Sequence, residues 1–203
     1  MVENTAADDD GTARARARRV ARAVALRERV SEDRQKAMLD RWIALAATGP
    51  VGRRALTPEM FGRALHYVDL IEVIEDGAEY SHVIEGREVM RRFGPSGREP
   101  FAKLYDPVYL GRLRGFYETV RMTGGPNLRR FAVQSVIGEE MAFGQLALPA
   151  TDEDGAVSHI AVVFDFPDPI ARIPTMPLMM HSAWRRLARG TDRETIPGDR
   201  LWR

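Results

Sequence analysis

Residues 106–125, DPVYLGRLRGFYETVRMTGG, decide the fold class, because they predict one long amphipathic helix that leads into strands. Apolar residues recur there at the i, i+3, i+4 and i+7 spacing of one helix face: Leu113, Phe116, Tyr117 and Val120. The sequence Gly124-Gly125-Pro126 then ends the helix, as a left-handed cap followed by proline should. Three apolar runs follow and predict strands: Phe131–Ile137, Met141–Leu148 and His159–Phe166. A helix leading into an antiparallel meander is typical of a small α+β sensing or binding module.

The first half of the chain predicts a helix, a hairpin and two short helices. The helix starts at the capping sequence Ser31-Glu32-Asp33. Two runs joined by a turn at Asp76-Gly77 predict the hairpin: His66–Ile74 and Glu79–Glu85. The short helical segments are Arg87–Phe93 and Phe101–Leu104. This order of elements predicts an α+β fold with a five-stranded antiparallel sheet, helices packed on one face, and an N-terminal helix extension.

Composition divides the chain into four segments. In order, they are a disordered acidic N-terminus (1–12), an Arg-rich helical extension (13–36), the α+β domain (37–166) and a Pro-rich, basic tail (167–203). In the extension, Arg14, Arg18 and Arg22 share one helix face. This pattern fits a solvated helix, an anionic membrane surface, nucleic acid or a coiled-coil partner. Nucleic acid is not expected, because no aromatic residue is interleaved for base stacking.

Composition also excludes several kinds of protein. The 203 residues contain no cysteine, which excludes disulfides, thiolate catalysis and cysteine-based zinc sites. No apolar run approaches the roughly 20 residues that a membrane helix needs. The N-terminus has charges where a signal peptide has its apolar region. We therefore expect a cytoplasmic protein without a membrane span.

Four short motifs occur in a characteristic order. They are Leu39-Asp40-Arg41-Trp42, Tyr80-Ser81-His82-Val83-Ile84-Glu85-Gly86, Thr123-Gly124-Gly125-Pro126 and Leu146-Ala147-Leu148-Pro149. In these motifs, residues 37–166 resemble PAS domains, and in particular a PAS-like family of nearly single-domain proteins common in alphaproteobacteria. The resemblance implies a PAS fold and a regulatory module that senses a small molecule or pairs with another protein. The chain departs from the family at His82, where an aromatic residue is usual, and at Glu85, where an apolar residue is common.

His82 is the best single candidate for a functional side chain. It shares one face of its predicted strand with Tyr80 and Ile84, and that face is expected to point into the domain. An imidazole there could contact a ligand or report pH, and a core histidine bonded to a backbone carbonyl is the alternative. If the domain centre is hollow, we expect the ligand-binding residues to be His82, Tyr80, Phe93, Tyr105, Tyr117 and Phe143. The alternative is that these aromatic residues form a filled core.

Neither a catalytic residue nor a metal site is predicted. The histidines lack the i, i+4 and His-Glu-x-x-His spacings of helical metal sites, and those on predicted strands are expected to be hydrogen-bonded: His66, His82 and His159. The carboxylates within or beside strands are expected at an edge or on a solvent face: Asp69, Glu85 and Asp165. Phosphate-loop and nucleophile-elbow motifs are absent from the sequence, so no cofactor is required.

Three functional hypotheses result. The first is a PAS-type sensor that signals through a protein partner, with a small-molecule ligand as a gate and the N-terminal helix as a homodimer contact. The second is a ligand-free adaptor or localisation protein with a filled core, which uses the open face of the sheet and the tails. The third is a small-cavity isomerase, which requires a buried carboxylate of raised pKa such as Asp69. We expect the first, without enzyme activity.

Overall fold

The computed structural model describes residues 5–105, 107–134 and 140–166, and the predicted tail 167–203 lies outside the described residues. The described helices are α1 Thr5–Arg27, α2 Asp33–Thr48, α3 Pro58–Phe61, α4 Arg87–Phe93, α5 Phe101–Leu104 and α6 Pro107–Thr123. The strands are β1 Val68–Ile74, β2 Glu79–Ile84, β3 Asn127–Gln134, β4 Glu140–Thr151 and β5 Val157–Asp165. Short 3₁₀ segments connect some of them: Arg53–Ala55, Gly62–Tyr67 and Glu75–Gly77.

The five strands form one antiparallel sheet in the order β2-β1-β5-β4-β3. Hairpin connections pair β1 with β2, β3 with β4 and β4 with β5, and β1 pairs with β5 at the centre of the sheet. Leu70 lies opposite Ala161 in that central pair. The predicted α+β fold and the predicted order of elements are confirmed.

Helices α4, α5 and α6 cover the face of the sheet that carries Ile71, Tyr80 and Phe143. The four residues of the predicted apolar stripe of α6 are all buried against this face: Leu113, Phe116, Tyr117 and Val120. This face contains most of the aromatic residues of the domain. The helix-covered face therefore matches the face on which the sequence placed Tyr80 and His82.

The N-terminal helices cover the other face of the sheet. Met38, Leu39 and Trp42 of α2 are buried in a second apolar cluster with the strand residues Leu146, Leu148, Ala161 and Val163. Two side-chain hydrogen bonds fix α2 to the sheet: Gln35 Nε2 donates to Val163 O over 2.8 Å, and Trp42 Nε1 donates to Pro149 O over 2.9 Å. The open sheet face on which the adaptor hypothesis relied is thus covered by this chain's own helices.

Ala23 and Leu26 of α1, and Val30 of the connection to α2, are buried in the same cluster as α2, while Val24 remains 49% exposed. Part of the apolar surface of α1 is therefore used within the chain. Helix α1 begins at Thr5, within the segment 1–12 for which composition predicts disorder. The alanines of this segment favour helix formation.

His66 lies in the 3₁₀ segment Gly62–Tyr67, and β1 begins only at Val68, so the prediction of His66 on a strand is wrong. The backbone of this segment is held against Gly86: a Cβ at that position would lie 2.5 Å from His66 O and 2.9 Å from Val68 N. The close approach of two backbones sets where β1 begins, and apolar character alone did not reveal it. Within the described residues, no helix is long and apolar enough to cross a membrane.

Candidate functional site

Three polar side chains form a buried chain on the helix-covered face of the sheet. His82 of β2 is 6% exposed and Asp69 of β1 is 1% exposed. Asp69 Oδ2 lies 3.4 Å from His82 Nδ1, and His82 Nε2 lies 2.8 Å from the Tyr105 hydroxyl. Nδ1 makes no hydrogen bond within the described residues, and the histidine tautomer sets whether Nε2 donates to the tyrosine hydroxyl or accepts from it. The second Asp69 oxygen, Oδ1, accepts a hydrogen bond from Gly86 N over 3.2 Å.

Asp69 overturns the prediction of an edge or solvent-face carboxylate. Strand β1 lies between β2 and β5, and alternation along it places Asp69 on the same face as Ile71. Burial raises the pKa of Asp69, and the nearby His82 partly opposes that rise. The structural condition of the isomerase hypothesis, a buried carboxylate of raised pKa, is therefore met.

Phe101 of α5 is the centre around which four predicted ligand residues meet. Its ring centroid lies 4.7 Å from that of His82, 5.0 Å from Tyr105, 6.0 Å from Tyr80 and 6.1 Å from Tyr117. Burial raises the pKa values of Tyr105 and Tyr117 above the ordinary tyrosine value. Burial and the carboxylate of Glu118 raise that of Tyr80 to about 12. All three phenols are therefore neutral hydrogen-bonding groups near neutral pH.

Phe93 and Phe143, the other two predicted ligand residues, lie at a second position on the same face. Their ring centroids are 5.2 Å apart, and both rings pack against Phe164 and Phe166. A continuous series of ring contacts joins them to the first group, running from Phe143 through Phe131 and Tyr109 to Tyr105. The structure thus brings the six predicted residues into one aromatic network with two centres.

Glu85 explains one departure from the family pattern. Both of its carboxylate oxygens accept the Ser96 backbone N–H at 3.0 Å, so the side chain holds the loop that follows α4. Glu85 is half-buried and directly follows β2, an edge strand of the sheet, which fits its assignment to an edge. Asp165 is also half-buried, and burial raises its pKa. It flanks Gly144 on the sheet face that α2 covers.

The remaining histidines do not converge on His82. His159 Nδ1 contacts Ser158 Oγ at 3.1 Å, and burial lowers the pKa of His159. Among the described residues, no group of three histidine or carboxylate side chains is placed to hold a metal ion. His181 lies outside the described residues.

Sequence reasoning assigned no role to Phe101 in the site and did not place Asp69 beside His82. The sequence did contain a signal that Asp69 is buried, since it is the one acidic residue within the apolar run Val68–Ile71. Burial of an acid in such a run is expected only where a partner is supplied. The partner, His82, comes from the neighbouring strand, and the register that joins the two strands is not visible in either segment alone.

Comparison with known proteins finds similarity of structure only. No family model and no curated protein matches the chain. One similar solved structure is the N-terminal domain of a Marinobacter aquaeolei diguanylate cyclase with a PAS/PAC sensor. The two sequences are 12% identical, and the match covers 49% of this chain and 93% of that chain with a TM-score of 0.37. A PAS domain from Colwellia psychrerythraea is 10% identical, and the match covers 54% of this chain and 95% of that chain with a TM-score of 0.40. The Rhodobacter sphaeroides LOV protein is 11% identical, and the match covers 64% of this chain and 90% of that chain with a TM-score of 0.40.

These similar structures are PAS and LOV domains. The likeness is one of fold. The order of elements and the five-stranded antiparallel sheet are established by this chain's own strand pairing.

Proposed function

We propose that this chain is a PAS-type regulatory module that responds at the Asp69–His82–Tyr105 chain and signals to a protein partner through its N-terminal helices. The observation that carries the proposal is the position of β1. Asp69 lies on one face of this strand, and its neighbours Val68 and Leu70 are buried in the apolar cluster that contains α2. A change in the polar chain therefore acts on a strand that also supports the helices of the opposite face.

The contacts of α2 provide the physical link across the sheet. Val163 O accepts the side-chain hydrogen bond of Gln35, and Val163 is paired with Val68 in the ladder between β5 and β1. Displacement of β1 thus alters the strand to which α2 is bonded. The partner of α1 and α2 is another protein in this proposal, and a second copy of this chain is one such partner.

A small-molecule gate is supported by Tyr80. Its side chain is fully buried, yet its hydroxyl makes no hydrogen bond within the described residues. A buried hydroxyl without a partner is unfavourable, and a ligand group that bonded to it would remove this penalty. The ligand-free adaptor is the second candidate, and the ring-to-ring contacts among the predicted ligand residues favour it.

We propose no catalytic role for Asp69, although its burial meets the condition of the isomerase hypothesis. Its Oδ1 faces Gly86 N, its Oδ2 faces His82 Nδ1, and His82 Nε2 faces Tyr105. Each of these polar atoms is directed at another protein group. A general base instead needs an atom directed at the proton that it removes.

Amide hydrogen exchange of the full chain tests the proposed coupling. We expect His82→Gln and Tyr105→Phe to change the exchange of residues 33–48, because both alter the polar chain that lies against β1. Ile84→Gln is the matched control, since it places the same residue on β2 at a side chain that is 45% exposed. Unchanged exchange in α2 for both site variants would overturn the proposal. The amides of β4, which does not pair with β1, serve as the internal reference for global unfolding.

The same preparations distinguish the gated sensor from the ligand-free adaptor. Native and denaturing mass spectra of wild-type protein are compared. A discrete mass that is lost on denaturation, and absent from the His82→Gln protein, supports a ligand at this site. A wild-type spectrum without such a mass, together with altered exchange in α2, favours the adaptor.

A further inference from the structure

A pocket lies on the opposite face of the sheet, where α1, α2, the end of α6 and β4 meet. Its walls include Arg16, Arg19, Trp42, Val51, Pro149 and Thr151, and it encloses a volume of about 20 Å³ that opens to solvent. This volume has room for about one water-sized group, so the pocket is a crevice for a single polar group rather than for a whole small molecule. The pocket is separated from the Asp69–His82–Tyr105 chain by the sheet.

Two arginines give the pocket its charge. Arg16 and Arg19 lie three residues apart on α1, on the helix side that turns toward α2, and both are half-buried. Within the described residues, neither guanidinium forms an ion pair or a side-chain hydrogen bond. None of the described lining residues is acidic. Two half-buried cations without a counter-charge make the site strongly attractive to an anion.

Thr151 adds a second, independent polar group. The residue is 8% exposed, and its hydroxyl is buried without a hydrogen-bond partner in the described residues. Its backbone is already fixed, because Thr151 N donates to Val51 O over 2.8 Å. Thr151 thus lines the pocket with a fixed backbone, and its hydroxyl has no hydrogen-bond partner among these residues.

Apolar surface completes the site. The indole of Trp42 forms one wall, and its N–H donates a hydrogen bond to Pro149 O. Arg19 reaches across the glycine that caps α6: a Cβ at Gly124 would lie 3.1 Å from Arg19 Nη1. Gly124 has a φ of 57°, where glycine is favoured, and its missing side chain leaves room for the guanidinium.

We propose that this pocket binds the phosphate or carboxylate group of a small molecule, held by Arg16 and Arg19 and by the hydroxyl of Thr151. Planar guanidinium groups pair with both kinds of oxyanion through two parallel hydrogen bonds. Occupancy ties α1 to the end of α6 and to β4. This site does not rest on the proposed function, because it uses no residue of the polar chain on the other face.

Calorimetric titration of the full chain with inorganic phosphate, and separately with acetate, tests the proposal at matched ionic strength. We expect saturable binding of at least one anion, and the tighter one identifies the head group. Arg16→Gln with Arg19→Gln should weaken binding about tenfold or more, since hydrogen bonds between charged groups are lost. The matched control is Arg18→Gln with Arg22→Gln, which removes the same charge from exposed positions of α1.

Thr151→Val provides a variant that should fold normally, because the hydroxyl that it removes has no partner among the described residues. We expect it to unfold at the wild-type temperature or above and to bind the anion several-fold more weakly, about the effect of one hydrogen bond. Equal weakening by the two arginine pairs would show general charge attraction and overturn the site. Absence of saturable binding by wild-type protein to either anion would also overturn it.

Discussion

Burial of Asp69 beside His82 makes the stability of the fold depend on pH. The pKa of Asp69 is raised above its ordinary value of 3.8 in the folded state, mainly by desolvation. The folded protein therefore holds this proton more tightly than the unfolded chain does. As the pH rises from 3.8 through the higher folded-state pKa, this residue lowers the free energy of unfolding, and the full penalty is present above that pKa.

Asp69→Asn is expected to remove this dependence. The amide keeps an oxygen for Gly86 N and supplies a donor toward His82 without a charge. We expect the stability of wild type, relative to Asp69→Asn, to fall as the pH is raised from about 4.5 to about 8 in urea unfolding. Asp154→Asn, in an exposed turn, is the control and should show no such trend. A rise in the relative stability of wild type with pH would contradict the raised pKa.

At the scale of elements, two glycines in different settings respond oppositely to the same added methyl group. Gly86 joins β2 to α4, and a Cβ there would meet the backbone of His66 at 2.5 Å. Gly115 lies on the exposed side of α6, and a Cβ there would meet nothing within 4 Å. The first glycine permits a close approach of two chain segments, whereas the second only weakens a helix.

We expect Gly86→Ala to destabilise the protein by about 1–3 kcal/mol or more, because the start of β1 must shift to relieve the overlap. Gly115→Ala should stabilise it by about 0.5–1 kcal/mol through higher helix propensity. Urea unfolding of both variants measures these changes, and each variant controls for the other. Equal and small effects would mean that the junction between β2 and α4 accommodates a side chain.

Elements with a strong local period were predicted well. The stripe of α6 and the alternation of β2 depend only on spacing along the chain, so Tyr80, His82 and the buried face of α6 were placed correctly. Ile84, predicted on the same inward face, is 45% exposed at the end of the strand. The start of β1 was not, because Gly86 holds the 3₁₀ segment Gly62–Tyr67 from a distance in sequence. Whether α2 faces solvent, a partner or the sheet was likewise invisible in its own apolar pattern.

At the scale of the whole molecule, one sheet supports two apolar clusters. Strands β1, β4 and β5 place alternate residues in each cluster, as Leu70 and Ile71 do in β1. The N-terminal helices are thus part of the same packed body as α4, α5 and α6. Loss of the sheet removes the support of both clusters together.

We therefore expect one cooperative unfolding transition. Trp42 reports the cluster of the N-terminal helices, and the tyrosines of the aromatic network report the other face. With Trp184→Phe and Trp202→Phe in place, the emission of Trp42 and the near-ultraviolet circular dichroism of the tyrosines should share one denaturant midpoint. An earlier loss of the Trp42 signal would mean that α1 and α2 unfold as a separate unit.

The order of helices and strands, the sheet and the inward face of His82 follow from local spacing, which a single sequence carries in full. The pairing of Asp69 with His82 required the neighbouring positions of β1 and β2, and the Arg16–Arg19–Thr151 pocket required the docking of α1 beside β4. Such contacts join residues far apart in sequence, and they depend on strand register and on which sheet face a helix covers. Both are settled by packing the whole chain at once, and for that reason the polar centre and the pocket emerged only from the folded structure.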